Sequence, residues 1–493
     1  MSIPSLTTPA IVMLAFGGLL ATSVLVSKAS ARTGVPLTLI FLGVGMLAGT
    51  EGLGGIAFGD YEIALWLGTA ALAFILFNGG LNTPPAAMRS VIRPAGVLAT
   101  FGVLGTAALV AGAGHLAGLD WQAAWMIGAI VSSTDASAVF SVLRASGVHL
   151  KRRVGMTLEV ESGVNDPVAF ILTTVVVQVV ANSAPISVPH TALAVVLELG
   201  IGAVSGIAIG RAGRWVLRHY SVRPSGLVPA FTIAVACLAY GVPALLHGSG
   251  FLSVYLAGIV IGAERLPYHT SVQRVHDTLG WLSQIGMFLV LGLLAFPSRI
   301  LEVWPLGVAL AFVLALVARP VAVALCLAPF GYNRREIAFI GWVGLRGAVP
   351  IVLATLPVIM QVPNAERVFD VVFVIVVVNA LLQGTSVSWL AHRLRVESAD
   401  PSTPAAVLEI EGPAPFDTEI QSYQIDELLP VCGSRIVDVP LPATASPMLV
   451  IRGSALLTPT PELRLEPGDH VYLLVEPQDG ALVQLMFGRP EGT

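Results

Sequence analysis

Residues Glu161–Pro167 read ESGVNDP, and Val168–Val180 then read VAFILTTVVVQVV, a run without a charge. Two carboxylates therefore head a stretch suited to lipid, where charges are costly without partners. It has 493 residues, of which 55% are hydrophobic and 11% charged. Soluble domains carry about 25% charged residues, and the mean hydropathy here is +0.83. The composition is that of a polytopic α-helical membrane protein. A net charge of -4 is too small to point to nucleic acid or an acidic partner. Cys237, Cys326 and Cys432 are too far apart for metal or redox spacing. The first basic residue, Lys28, follows the first apolar run, so that run reads as a retained helix, not a signal peptide.

A spanning helix needs about 20 mainly apolar residues. Thirteen segments qualify: 9–29, 34–51, 62–82, 93–117, 121–144, 153–181, 189–218, 226–246, 250–264, 275–297, 303–329, 335–360 and 367–393. With the N-terminus outside, eighteen Lys and Arg residues fall in or beside the inner loops, and only Arg299 and Arg367 in outer ones. That asymmetry supports both the count and the orientation, with a cytoplasmic C-terminus. The membrane domain is expected over 1–395 and a polar, proline-bearing linker over 396–405. Residues 406–493 alternate β-like runs (VLEI, TEIQSYQI, MLVIRG, HVYLLVEP) with turns such as Gly468–Asp469, as expected of a small β-rich α+β domain.

Few charges remain inside the segments, and intramembrane ionisable groups are functional candidates that need partners. Asp135 lies in VSSTDASAV (131–139) among Ser132, Ser133, Thr134 and Ser137. So polar a mid-span stretch reads either as a locally unwound helix lining a cavity or as a polar helix contact. Downstream, Ser162 and Asp166 are four apart and share a helix face, as do Glu161 and Asn165. One face suits a cation pathway and the other a structural partner. Pro167 should free a carbonyl near Gly163. Carboxylate, hydroxyl and carbonyl oxygens are hard ligands that suit alkali cations. In GWVGLRGAVP (341–350), Gly344, Gly347 and Pro350 surround a buried Arg346, for which Glu161 is the natural counter-charge. Arg319, before Pro320, reads as the partner of another carboxylate or as a pathway-lining group, and Glu159 and Glu198 read as helix-end or packing groups. No histidine falls centrally in a span, so a carboxylate has to carry any proton.

In combination and order, STDA with Asp135, ESGVNDP with Asn165 and Asp166, and GLRGAVP with Arg346 resemble the NhaP-like branch of the monovalent cation/proton antiporter superfamily. The resemblance covers about 9–395. It implies two inverted six-helix repeats, with the fifth and twelfth spans as crossed discontinuous helices. It further implies that Asp166 binds cation and proton, with Asp135, Thr134 and Ser162 as co-ligands for a monovalent cation. Asn165 takes the position that goes with electroneutral exchange, and Glu161 and Arg346 resemble a structural ion pair. In LFNGGLN, Asn78 stands where many relatives have an acid, which removes a negative charge from the site. The stretch ELRLEPGDHVYLLVEP (462–477) resembles an RCK C-terminal (TrkA-C) domain, implying a regulatory module with a nucleotide or other small-molecule ligand.

The expected activity is exchange of cytosolic K+, with Na+ as a further substrate, for H+. It would be performed by a homodimer in a bacterial inner membrane, without a cofactor and without enzyme chemistry. The alternatives are a strict Na+/H+ antiporter and a ligand-gated cation channel. A channel usually needs a TVGYG-like filter, which the sequence lacks. An intramembrane hydrolase would need a base beside Ser162, and no histidine is near it in sequence.

Overall fold

The computed structural model describes residues 7–33, 36–182, 188–219, 226–263, 268–398, 419–427, 429–442, 444–453, 455–476, 478–488 and 490. A helical unit ends at Ser398, and a second unit contains the tail. Helices occupy all thirteen expected segments. The first three are α1 (Thr7–Thr33), α2 (Leu37–Ala48) and α3 (Tyr61–Asn82). The fourth is one rod: α4 (Pro85–Val97), a wide π turn at Leu98–Gly102, and α5 (Val103–Leu116). The fifth is split into α6 (Trp121–Ile130) and α7 (Ala136–Ala145). Then come α8 (Arg152–Asn182), α9 (Val188–His219), α10 (Leu227–Leu245), α11 (Gly250–Gly262) and α12 (His269–Leu293). The eleventh joins α13 (Pro297–Val313) through a π turn at Leu314–Ala318 to α14 (Arg319–Leu327). The twelfth is split into α15 (Arg334–Trp342), α16 (Val349–Leu353) and α17 (Thr355–Ile359), and α18 (Ala365–Leu394) follows.

Seven of the described helices are long and apolar enough to cross a bilayer on their own. Much of the apolar surface faces outward: Trp66, Leu197, Val204, Leu325 and Trp389 are all more than half exposed. In water such a surface would aggregate, whereas in lipid it is the solvated face. The short α11, about 20 Å at 1.5 Å per residue, is almost wholly buried. It packs against α3 and α9 through glycines. A Cβ on Gly80 would overlap the Tyr255 carbonyl, one on Gly258 the Phe77 carbonyl, and one on Gly206 the Ser253 carbonyl. Small residues allow this backbone approach where hydrophobicity cannot drive helices together.

The two breaks have local causes. Ser, Thr and Asp side chains compete with the helix ladder for backbone partners, and residues 131–135 leave it. Helix α7 restarts with Asp135 as its N-cap: Ala138 N donates to Oδ1 at 3.2 Å and Ser137 Oγ at 2.6 Å. At residues 343–348 the glycines permit non-helical backbone, and Pro350 suits the first turn of α16. Around Pro167, by contrast, α8 runs on without interruption.

Residues 396–398 belong with the helices and not with a linker. Val396 is buried among Val154, Leu394 and Phe339, its carbonyl accepts from Lys151 N at 2.9 Å, and Ser398 N donates to the His149 carbonyl at 2.9 Å. Most of the expected linker, and the expected strand VLEI, lie outside the described residues. The tail unit holds an antiparallel sheet in the order β1-β4-β2-β3. Its strands are β1 (Glu419–Gln424), β2 (Ser446–Arg452), β3 (Ala455–Leu457) and β4 (His470–Val475). Helix α19 (Gly480–Phe487) packs Val483 and Phe487 onto Tyr423, Val450 and Leu473. The expected turn is present, with Gly468 at φ 88°. Beside it Asp469 is fully buried and gripped by Arg452 at 2.8 and 2.9 Å. That hydrogen bond is the main reason the Arg452 guanidinium pKa is raised.

Candidate functional site

The two breaks meet, and each satisfies the other's backbone. Asp135 N donates to the Leu345 carbonyl at 2.8 Å, and Arg346 Nε donates to the Val131 carbonyl at 2.7 Å. Unwound backbone at membrane depth is tolerated only where such partners exist. The approach is close enough that a Cβ on Gly347 would overlap the Asp135 carboxylate, so a glycine is required there.

Helix α8 crosses beside this junction. Ser162 Oγ donates to the Thr134 carbonyl at 3.0 Å and accepts from Ala136 N at 3.1 Å. Asn165 Nδ2 donates to Thr134 Oγ1 at 2.5 Å. Thr134 Oγ1 in turn donates to Glu161 Oε1 at 3.5 Å. Ser162, Asn165 and Thr134 thus hold the unwound segment against α8.

Glu161 and Arg346 do not form the expected ion pair. Glu161, fully buried, is held by Arg319: Nη1 lies 2.6 Å from Oε1, and Nη2 donates to Oε2 at 2.8 Å. Arg346 donates to two carbonyls instead, those of Val131 and Gly344. The reason is geometric. Arg319 opens α14 directly after a π turn, and its two terminal nitrogens each meet one carboxylate oxygen, whereas Arg346 lies within the extended break and turns back onto backbone. The two guanidiniums flank Gly344, where a Cβ would come within 3.3 Å of both.

A cavity of about 470 Å³ ends at this junction. Asp166, Asp135, Ser162 and Asn78 line it, together with Glu159, Arg144, Tyr255 and Asp277. Thr134, Asn165, Glu161 and Arg346 sit behind its wall. Asp166 stands apart among the carboxylates: it is 6% exposed, and its Oδ1 is buried without a hydrogen-bond partner. Asp135 caps α7, Glu159 accepts from Thr83 Oγ1 at 2.8 Å, and Glu161 has Arg319. A buried carboxylate at a cavity end without a protein donor is a place where a proton or a cation can bind. Two residues were not legible in the sequence. Asp277 falls at a span end, where acids are ordinary, and nothing local marks its partner. His276 is buried although its position in the chain looks peripheral; Thr232 Oγ1 lies 2.9 Å from its Nε2, and it lies outside the cavity lining.

Comparison with known proteins covers both units. The family model described as sodium/hydrogen exchanger, transmembrane, matches residues 18–393, and the TrkA-C domain model matches 420–488. A K(+)/H(+) antiporter NhaP of Alkalimonas amylolytica is 40% identical over 443 residues, covering 89% of this chain and 77% of that protein. A K(+)/H(+) antiporter NhaP2 of Shewanella sp. (strain ANA-3) is 40% identical over 477 residues, covering 96% and 83%. A Na(+)/H(+) antiporter NhaP of Pseudomonas aeruginosa is 30% identical over 348 residues, covering 66% and 80%. In fold, the chain is similar to the sodium proton antiporter MjNhaP1 from Methanocaldococcus jannaschii, with a TM-score of 0.67 at 22% identity over 78% of this chain and 99% of that one.

Proposed function

The chain belongs to the sodium/hydrogen exchanger family, and from that premise we propose that it is a K+/H+ antiporter with Asp166 as the shared proton and cation site. The observation that carries this is the unpartnered Asp166 oxygen at the end of the cavity. Asp135 supplies a second carboxylate on the same cavity, and Ser162 and Thr134 frame the site as co-ligands once Ser162 leaves its backbone partners and Thr134 its bonds to Asn165 and Glu161. Proton and cation then compete for one group. K+ is preferred to Na+ because the relatives at 40% identity carry K(+)/H(+) names.

Charge accounting supports one-for-one exchange. The junction gathers Asp135, Glu161 and Asp166 against Arg319 and Arg346, and arginine stays protonated in proteins. With every carboxylate ionised, a single negative charge is left over. One proton or one monovalent cation balances it, and Asn165 adds none. A potential of 100 mV acts on each net charge moved with about 2.3 kcal/mol. Proteoliposomes with a clamped potential and no ion or pH gradient should therefore show no exchange. Uptake driven by voltage alone would disprove the stoichiometry. The same assay run with Na+ replacing K+ tests the ion preference.

In this reading the chain makes thirteen crossings of a bacterial inner membrane as two inverted repeats, with the N-terminus outside and two copies per transporter. Repeats are supported by matched irregularities. The fourth and eleventh segments each carry a π turn, and the fifth and twelfth each carry a break. A cytoplasmic cavity mouth is supported by Arg144 on the cavity lining and Lys151 nearby in the chain, through the positive-inside pattern. The TrkA-C unit regulates transport through a small ligand, a nucleotide being one class. A ligand acts there only by binding one transport state better than the other. A chain ending at Ser398 keeps the Lys151–Val396 and His149–Ser398 bonds, so it should fold and exchange ions with an altered pH or cation dependence. If its rate, pH profile and nucleotide response match those of the full chain, the tail has no regulatory role.

A further inference from the structure

The cavity has two unlike walls. One is built from α7, α8 and the segment before α16, and carries Asp135, Glu159, Asp166 and Arg144. The other is built from α3, α11 and α12, and carries Asn78, Asn82, Tyr255, Asp277 and Gln284. Among the described residues lining this second wall, Asp277 is the one carboxylate.

Asp277 is held by a directional chain of amides. Gln273 Nε2 donates to Asn82 Oδ1 at 3.2 Å, Asn82 Nδ2 donates to Asn78 Oδ1 at 3.2 Å, and Asn78 Nδ2 donates to Asp277 Oδ1 at 3.0 Å. Each amide gives its proton to the next, and the chain ends on the carboxylate. Gly280, one turn beyond Asp277, leaves room for this: a Cβ there would lie 3.3 Å from Asn78 Nδ2. The other Asp277 oxygen accepts no hydrogen bond from the described residues, and the residue is exposed and lines the cavity. Asn78 therefore does not leave its wall uncharged. The negative charge lies on the partner it orients, one helix away. A low-dielectric cavity lined mainly by one sign of charge concentrates the counter-ion.

We propose that Asp277, oriented by Asn78, draws the monovalent cation through the cavity towards Asp166 and sets the apparent cation affinity. This rests on the reading of Asp166 as the transport site. The residue acts on approach, so it governs how much cation is needed and not how fast the loaded site turns over.

The test is a K+ titration of exchange in inside-out vesicles holding the full chain, with thermal melting as a control for folding. Asp277→Asn should raise the half-saturating K+ concentration about tenfold while the maximal rate stays within about twofold. Moving the carboxylate back across the hydrogen bond, in Asp277→Asn with Asn78→Asp, should restore most of the affinity. A purely structural role for Asp277 would not produce that recovery. Unchanged half-saturation in Asp277→Asn overturns the proposal, and so does a loss of maximal rate that the double variant fails to reverse. If the unmodified protein exchanges neither K+ nor Na+ for H+, the antiport reading fails and this proposal fails with it. Normal exchange with an Asp277 variant that behaves as wild type overturns the proposal alone.

Discussion

Asp166→Asn is expected to bring ion exchange down to the rate of protein-free liposomes while the protein stays folded. The substitution keeps shape and volume, and Asp166 has no hydrogen bond on Oδ1 for the fold to lose. What changes is the chemistry at the end of the cavity. A carboxyl group can hold a proton in one step and a cation in the next, whereas an amide takes up no proton and offers a cation only a neutral oxygen. Charge accounting gives the same result, since the variant removes the one uncompensated negative charge at the junction, and with it the requirement for a proton or a K+. Exchange should be read from a pH-sensitive dye in proteoliposomes, in both directions of the K+ gradient. Size-exclusion elution and melting temperature would show that the variant is intact. Exchange by a well-folded Asp166→Asn protein at even a tenth of the normal rate would place the proton elsewhere.

Features encoded by local chemistry were legible in the sequence, and features set by facing distant helices were not. Residues 131–135 read as a break because their hydroxyls and carboxylate compete for backbone in any context, and Gly344, Gly347 and Pro350 mark the second break by conformational freedom alone. Asp166 and Ser162 share a face because a helix spaces residues four apart that way. The partner of Glu161 was a different problem. Two arginines lay inside the membrane segments, and choosing between them depends on the angle at which α14 leaves its π turn, which no spacing rule supplies. The hydrogen bond between Asn78 and Asp277 joins residues 199 positions apart. Asn78 on its own reads as a missing charge, and only the packing of α3 against α12 shows where that charge lies.

Arg319→Ala is expected to destabilise the protein more than Arg346→Ala, with the loss reaching about 3–5 kcal/mol. Both side chains are almost fully buried, at 1% and 3% exposure, so burial does not separate them; their partners do. Removing Arg319 strips both oxygens of Glu161 of their charged donors and leaves an ionised carboxylate in the membrane interior, with only the distant Thr134 hydroxyl against it. Removing Arg346 frees two carbonyls, those of Val131 and Gly344, neutral groups that cost less to leave unpaired than an ionised carboxylate does. A double-mutant cycle separates the pair from its surroundings. Arg319→Met combined with Glu161→Gln removes both charges, so it should lose less than the sum of the single variants, by at least about 1 kcal/mol. Arg346→Met with Glu161→Gln should be closer to additive, because no hydrogen bond joins those two side chains. Thermal melting in one fixed detergent or nanodisc supplies all the values. A larger loss from Arg346→Ala, or stronger coupling of Glu161 to Arg346 than to Arg319, would return the ion pair to the partner the sequence suggested.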